Sequence, residues 1–283
     1  MRTFLDCIPC FIRQALDAAR MATGDQAIHE RVLREALRMA ATLDPQATPP
    51  AMGQRLHRLI RELTGNDDPY AQVKQRFNAL ALRAYPRLRR LVEEADDPFA
   101  TAARLAIAGN VIDSAIHNEL DHAGVEEAVR HALSAPLTGD PAAFQEAVAS
   151  SRDILYLTDN AGEIVFDRLL IERMPLEKVT VAVRGRPVLN DATVEDAEVA
   201  GLTALVEVID NGSDAPGTIL EDCSEDFRRR FRRADLVVAK GQGNYETLSD
   251  VGRGVFFVLK AKCPVIARDL GCEVGSLVLE GPR

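Results

Sequence analysis

Several things are scarce in this chain, and each shortage removes a class of function. No apolar run in its 283 residues approaches the roughly 18 to 20 needed to cross a bilayer, so no membrane span is expected. There is no basic excess either. Lys and Arg number 34 against 43 Asp and Glu, a formal charge of -9, which argues against non-specific binding to nucleic acid or anionic lipid. Five cysteines, an odd count in a long chain, fit a reducing compartment better than a disulfide framework. The opening MRTFLDCIPCFIRQ has an acid and two cysteines where a signal peptide needs an unbroken apolar segment. A cytoplasmic protein is expected.

Common catalytic signatures are missing too. There is no internal repeat, low-complexity segment, Walker loop or G-x-G-x-x-G, and no Ser-His-Asp or Cys-His arrangement. His29, His57, His117, His122 and His131 lack ligand spacing. Cys7 and Cys10 make half of a zinc site with no second C-x2-C or H-x3-H to complete it. Packing of two small thiols is the favoured reading, with metal or redox chemistry as the alternative.

What is present has two textures. The first half is helical by periodicity: Ile8, Ile12, Ala15 and Ala19 share one face, as do Val32, Leu33, Ala36, Leu37 and Ala40, then Leu56, Leu59, Ile60 and Leu63. Further helices are expected near 70–84, 86–95, 99–119, 125–134 and 141–149. After about residue 150, short apolar runs alternate with helical or loop segments: ILYL (154–157), VTVAV (179–183), LVEVI (205–209), LVVA (236–239) and VFFVL (255–259). Such alternation predicts a mostly parallel, Rossmann-like sheet with helices on both faces. The expected organisation is a helical domain over 1–98 and an α/β domain over 99–283, with 99–150 as a helical lead-in.

Polar residues follow every run. Asp159 and Asn160 come after the first, and the stretch from Arg184 to Asp191 after the second. Asp210 and Asn211 follow the third, Lys240 with GQGNYE the fourth, and Lys260 and Lys262 the fifth. Open α/β sheets bind ligands outside the carboxyl ends of their strands. Two carboxylates and an amide oxygen are hard donors suited to Mg²⁺ or Mn²⁺, or by availability Co²⁺ or Ni²⁺. Lysines nearby would neutralise a phosphate, and Gly162, Gly241 and Gly243 would let backbone N–H groups approach it. Each piece also has a plainer reading. Asp159-Asn160-Ala-Gly and Asn190-Asp191 are both good helix caps, and KGQGNY alone is an ordinary glycine turn.

Taken together, TDNAGEIVFD (158–167), RGRPVLNDAT (184–193), KGQGNYE (240–246) and LKAKCPVIA (259–267) resemble the metal-dependent damage-control phosphatase family. That family was long catalogued as a domain of unknown function and includes proteins first described as acidic-residue carboxyl methyltransferases. CIPCFIRQAL (7–16), DPYAQVKQRFN (68–78) and AARLAIAGNVID (102–113) look like its prokaryotic branch. The resemblance implies Asp159, Asn160 and Asp191 as metal ligands. It implies the segment from Ala239 through Lys240, Gly241 and Gln242 to Gly243, together with Lys262, around a substrate phosphate. Lys262 stands where relatives have the lysine of an Arg-Thr-x-Lys motif, and the arginine is absent here. Small phosphorylated metabolites are the implied substrates.

Asn110 and Asp113, three apart on one helix, can face one point beside Gly109. A substrate role is favoured over a buried pair satisfied by backbone. Glu163 is either a metal or substrate support or a helix cap. Tyr70 and Lys74 are placed to reach the same pocket, unless Lys74 is exposed. FRRRFRR (227–233) reads as a solvated helix face rather than an RNA site. The expected reaction is phosphate-ester hydrolysis by a metal-activated water, with Asp159 and Lys262 as the catalytic residues. The rivals are an S-adenosylmethionine-dependent carboxyl methyltransferase and a non-catalytic phosphometabolite sensor. Oligomeric state is left open.

Overall fold

The structure, a computed structural model, describes residues 1–110, 122–252 and 254–282. Three helices open the chain: α1 (Cys7–Ala22), α2 (Gln26–Ala41) and α3 (Pro49–Thr64). Next come α4 (Ala71–Glu93), α5 (Pro98–Ala108), α6 (His122–Ser134), β1 (Leu137–Gly139) and α7 (Pro141–Ser150). The alternating half follows with β2 (Ile154–Leu157), α8 (Glu163–Ile171), β3 (Val179–Val183), α9 (Val194–Val199) and β4 (Glu207–Asp210). It continues with α10 (Glu225–Arg233), β5 (Leu236–Lys240), α11 (Gly241–Leu248), β6 (Val255–Lys260), α12 (Pro264–Leu270) and β7 (Leu277–Glu280).

Local chemistry explains where the helices begin. Asp97-Pro98 and Asp140-Pro141 are paired start signals. Each Asp side chain accepts from N–H groups of the first turn, and each Pro takes a position whose N–H would have no partner. Two expectations shift. The stretches 70–84 and 86–95 are one helix, α4, running through Pro86. The helix expected over 99–119 ends as α5 at Ala108, and 111–121 lie outside the described residues.

Two cores form. Phe11, Ala15, Val32, Leu56 and Ile60 close α1–α3 on one another. From Phe77 onward the apolar face of α4 instead joins α5, α8 and the sheet. On the other sheet face Phe227 and Phe231 of α10 bury against Val237 and Phe257, leaving Arg229, Arg232 and Arg233 exposed, while Arg230 turns in to Asp153 and Thr180. Among the described residues no helix is long and apolar enough to cross a membrane.

The sheet has seven strands in the order β1-β7-β6-β5-β2-β3-β4, parallel throughout except β6 with β7. From β2 the chain builds outward to β3 and β4, then crosses back to place β5 on β2's other edge. The carboxyl ends of β2 and β5 therefore flank the switch point, where such a sheet opens a crevice.

The α1–α3 layer is pinned over this edge by charge. Asp214 accepts from Gln54 at 2.7 Å, from Arg58 Nε at 3.0 Å and from Arg61. Arg61 also donates to Pro187 O at 3.0 Å, so the clamp reaches the loop after β3. Asp214→Ala would take from Arg61 its carboxylate partner and leave half-exposed Arg58 with Asp222 alone. The expected loss is roughly 3 kcal/mol of unfolding free energy, read by urea denaturation. A loss below about 0.5 kcal/mol would make the clamp a surface pair.

Candidate active site

Backbone bonds, not side chains, bring the acids together. The turn after β2 and the loop after β3 are stitched by Ala161 N donating to Asn190 O and Ala192 N to Asp159 O, both at 2.8 Å. Asn160 and Asp191 thereby form a bridge pair. Three residues 31 or 32 positions apart in sequence become neighbours, and Asp159, Asn160 and Asp191 are all buried. The plainer reading of DNAG as a cap also applies in part, since Asn160 O accepts from Ile164 N at 3.0 Å.

The loop carrying Asp191 is bent. Leu189 has φ +48°, the one positive φ at a non-glycine residue among those described. That conformation costs a β- or γ-branched residue free energy, and its side chain is drawn into the α1–α3 core. The turn of α8 is held likewise. Gly162, at φ +79°, would put a Cβ 2.9 Å from Phe77 Cβ, and its N–H donates to Asn78 Oδ1 at 2.6 Å. Asn78 in turn donates to Asp196 at 2.7 Å.

Around the acids lies a dense polar array. Asn160 Nδ2 donates to Asp159 Oδ2 at 2.8 Å and to Glu163 Oε2 at 3.0 Å. Asn110 Nδ2 donates to the same two oxygens at 3.2 and 2.7 Å. Its Oδ1 is buried without a hydrogen-bond partner among the described residues, an acceptor left open beside these acids. Asp113 falls outside the described residues. Asp159's carboxyl is pushed well above the usual carboxylate range by burial, then by Glu163 and Asp191, against the pull of Lys262 and Arg184.

Gly241 comes closest to the acids. At φ +77° it opens α11, and a Cβ there would lie 1.9 Å from Asp159 Oδ2. The first N–H groups of α11, at Gly241, Gln242 and Gly243, have no intrahelical acceptor and put the helix's positive end beside Asp159. Lys262 is exposed at the rim within electrostatic reach of Asp159, and its N–H meets Gln242 Oε1 at 3.3 Å.

Some expected contacts are taken up by the protein itself. Lys240, expected to face phosphate, is fully buried with its ammonium bonded to Glu163, Asp167 and Ala106 O. Gln242's amide reaches Glu246 Oε1 at 2.8 Å, so its side chain braces the loop that carries Lys262. Lys74 is not exposed. It pairs with Asp68 at 2.7 Å beneath the crevice. Cys7 is half-buried and Cys10 exposed, and all five cysteines are free thiols.

Three participants escaped the sequence reading. Arg184, weighed there only as part of a strand-end loop, is buried and donates to Asp191 Oδ2 at 2.6 Å. Asn244 ties Thr158 O at 3.0 Å to Lys240 O at 2.8 Å. Asp167, given no role of its own from the sequence, has no exposure. All three lie within the segments quoted for the resemblance, Asp167 in TDNAGEIVFD, Arg184 in RGRPVLNDAT and Asn244 in KGQGNYE, which is the signal that could have found them.

Buried acids, amides and a helix N-terminus meeting at the switch point of a doubly wound sheet define an α/β protein built to hold a small, charged ligand. The comparisons with known proteins narrow this. Residues 3–278 match the damage-control phosphatase ARMT1-like domain. A damage-control phosphatase of Archaeoglobus fulgidus is 37% identical over 282 residues, 96% of each chain. Another, from Pyrococcus horikoshii, is 36% identical over 98% of this chain and 97% of its own. The crystal structure of a DUF89 family protein from P. horikoshii aligns over the whole of both chains with a TM-score of 0.91 at 36% identity. The chain belongs to the damage-control phosphatase family.

Proposed function

We propose that the chain is a metal-dependent phosphatase that hydrolyses monoesters of small phosphorylated metabolites. The observation that carries this reading is the meeting of Asp159, Asn160 and Asp191 with the glycine-rich start of α11 at one switch point.

The residues fit a hard divalent cation: Mg²⁺, Mn²⁺, Co²⁺ or Ni²⁺. Among the described residues no three His, Cys, Asp or Glu side chains form a ready-made metal cage. Two carboxylates with an amide, completed by water and phosphate oxygens, is the kind of site such ions accept. Crowded acids argue the same way, because a dication would offset the charge that drives Asp159's carboxyl upward. When bound, such an ion polarises a phosphoryl oxygen and lowers the pKa of a water.

The remaining work falls to the chain. Asp159 and Asp191 hold the ligand from two strand ends, and Arg184 fixes Asp191's second oxygen. Asn160 has its nitrogen turned to Asp159 and Glu163, so Oδ1 is the atom these carboxylates leave unengaged. The opening N–H groups of α11 offer donors to nonbridging phosphate oxygens, and Lys262 offers a charge that meets the one developing on phosphorus.

The test is a phosphate-release screen across sugar phosphates and nucleotides with each of the four metals, with and without EDTA. Turnover with no metal, or none with any metal, would overturn the proposal. Within an active preparation, Lys262→Ala should lower kcat/KM by about 100-fold and leave Mn²⁺ affinity within about twofold. Lys262→Arg should restore little, because a planar fork differs in reach and shape from an ammonium. Retention within about twofold in the alanine variant would move the phosphate cation to Arg186, since Arg184 is committed to Asp191.

A further inference from the structure

Lys240 closes β5 with its side chain fully buried. A lysine without solvent keeps its charge only where carboxylates surround it. Its Nζ meets Glu163 Oε1 at 2.7 Å, Ala106 O at 2.9 Å and Asp167 Oδ1. Burial alone would pull the ammonium's pKa down, but Asp167 and Glu163 more than reverse this, so it stays charged. An ammonium has three donors, and all three are spent on protein. A phosphate contact through this nitrogen would require breaking one.

The three acceptors explain what the group controls. Ala106 O sits in the last turn of α5, three residues before the chain turns at Gly109 to deliver Asn110. Glu163 and Asp167 stand one turn apart on α8. Tyr156 OH donates at 3.0 Å to Asp167 Oδ1, the same oxygen that accepts from Lys240. With Oε1 fixed by the ammonium, Glu163 can aim only Oε2 at the amides of Asn110 and Asn160. Those amides hold Asp159 Oδ2. Meanwhile the next residue, Gly241, abuts Asp159 directly.

We propose that Lys240 is a positioning residue, an internal counter-ion whose bonds to Glu163 and Ala106 O fix the Asn110, Asn160 and Asp159 array in its ligand-binding arrangement. The inference rests on the phosphatase reading for its kinetic consequences and on geometry alone for its structural ones.

Lys240→Met by itself would leave two buried carboxylates without their shared counter-charge and can unfold the chain. The double variant Lys240→Met/Asp167→Asn removes one positive and one negative charge together, preserves volume, and leaves Glu163 unanchored. The expected result is a folded protein with Mn²⁺ affinity, measured by calorimetry with the metal alone, about tenfold weaker. Its kcat/KM should fall by about 100-fold, the usual penalty for a small misplacement. Asp167→Asn alone, which keeps the ammonium on Glu163, should stay within about threefold on both measures. A double variant matching Asp167→Asn would overturn the proposal. So would unchanged Mn²⁺ affinity with lost turnover, because that pattern belongs to a direct phosphate contact.

A third readout needs no activity. The side-chain NH₂ resonances of Asn110 and Asn160 should shift and exchange faster in the double variant, and unchanged resonances would overturn the positioning role. If the native protein binds no Mn²⁺ and releases no phosphate while these resonances respond, the phosphatase reading falls and the positioning role stands.

Discussion

Asp159→Asn is expected to lower kcat/KM by about a thousandfold or more while making the metal-free protein more stable. Under the proposed metal-dependent mechanism the first half follows from losing a charged ligand for the dication, since metal assistance contributes several kcal/mol to such reactions. The second half follows from crowding. Asp159's carboxyl is driven above its unfolded value by burial and by Glu163 and Asp191. An acid raised on folding opposes folding at pH above its folded value, and that cost vanishes below its unfolded value near pH 4. A neutral amide of the same shape escapes the cost. At pH 7 the metal-free variant should melt higher by about 2–4 °C per kcal/mol recovered, and the gain should disappear on acidification. Calorimetry at pH 7 and at about pH 4, beside phosphate release, reads both halves. Lost activity with a lowered melting point would show that Asp159 holds the fold together and would remove it from the ligand set.

Gly241→Ala should be nearly as damaging, for steric reasons. Its Cβ would sit 1.9 Å from Asp159 Oδ2 and 2.1 Å from Cγ, on a backbone at φ +77°. Neither the helix start nor the buried acid can retreat by the required ångström and a half without breaking the amide array. A fall in kcat/KM of about 100-fold or more is expected, with roughly 1–3 kcal/mol of lost stability from the strained backbone. Gly271 supplies the control, because it has φ +67° with nothing within 4 Å of an added Cβ. Gly271→Ala should show the backbone cost and keep full turnover. Equal kinetic losses at both positions would mean that the Gly241–Asp159 approach is irrelevant to function.

The strand-end acids were legible because an apolar run that stops on Asp-Asn-Ala-Gly changes texture abruptly, and the same holds for the loop that ends on Asn190-Asp191. Other parts were not. β1 is three residues with one of them glycine, and β7 is four residues near the chain end. Runs so short carry no period, and pairing to β6 and β1 gives β7 its identity. The run at 205–209 is a strand only from Glu207 to Asp210, since β4 is the sheet edge with a half-exposed face and Leu205 belongs to the turn before it.

Side-chain direction is the deeper gap. Lys240 and Lys262 look alike in sequence, each closing or following a strand beside small residues. One ends fully buried among carboxylates and the other at the solvent edge. That difference is decided by α8, whose Glu163 and Asp167 reach the β5 lysine from 77 and 73 residues away. No local pattern encodes a partner at that separation.

The left-handed kink at Leu189 has a consequence for how relatives can exchange parts. Its side chain is seated in the α1–α3 core, while two residues on the same loop presents Asp191. Arg61 of α3 grips the loop at Pro187 O as well. The helical layer thus acts as a jig that sets the height of one acid, although none of its own side chains need touch a ligand. A chimaera carrying another family member's first 64 residues should therefore keep its chemistry only where the grafted layer offers a socket for leucine and an arginine at the position of Arg61. A graft that folds well but lacks either would leave Asp191 out of register.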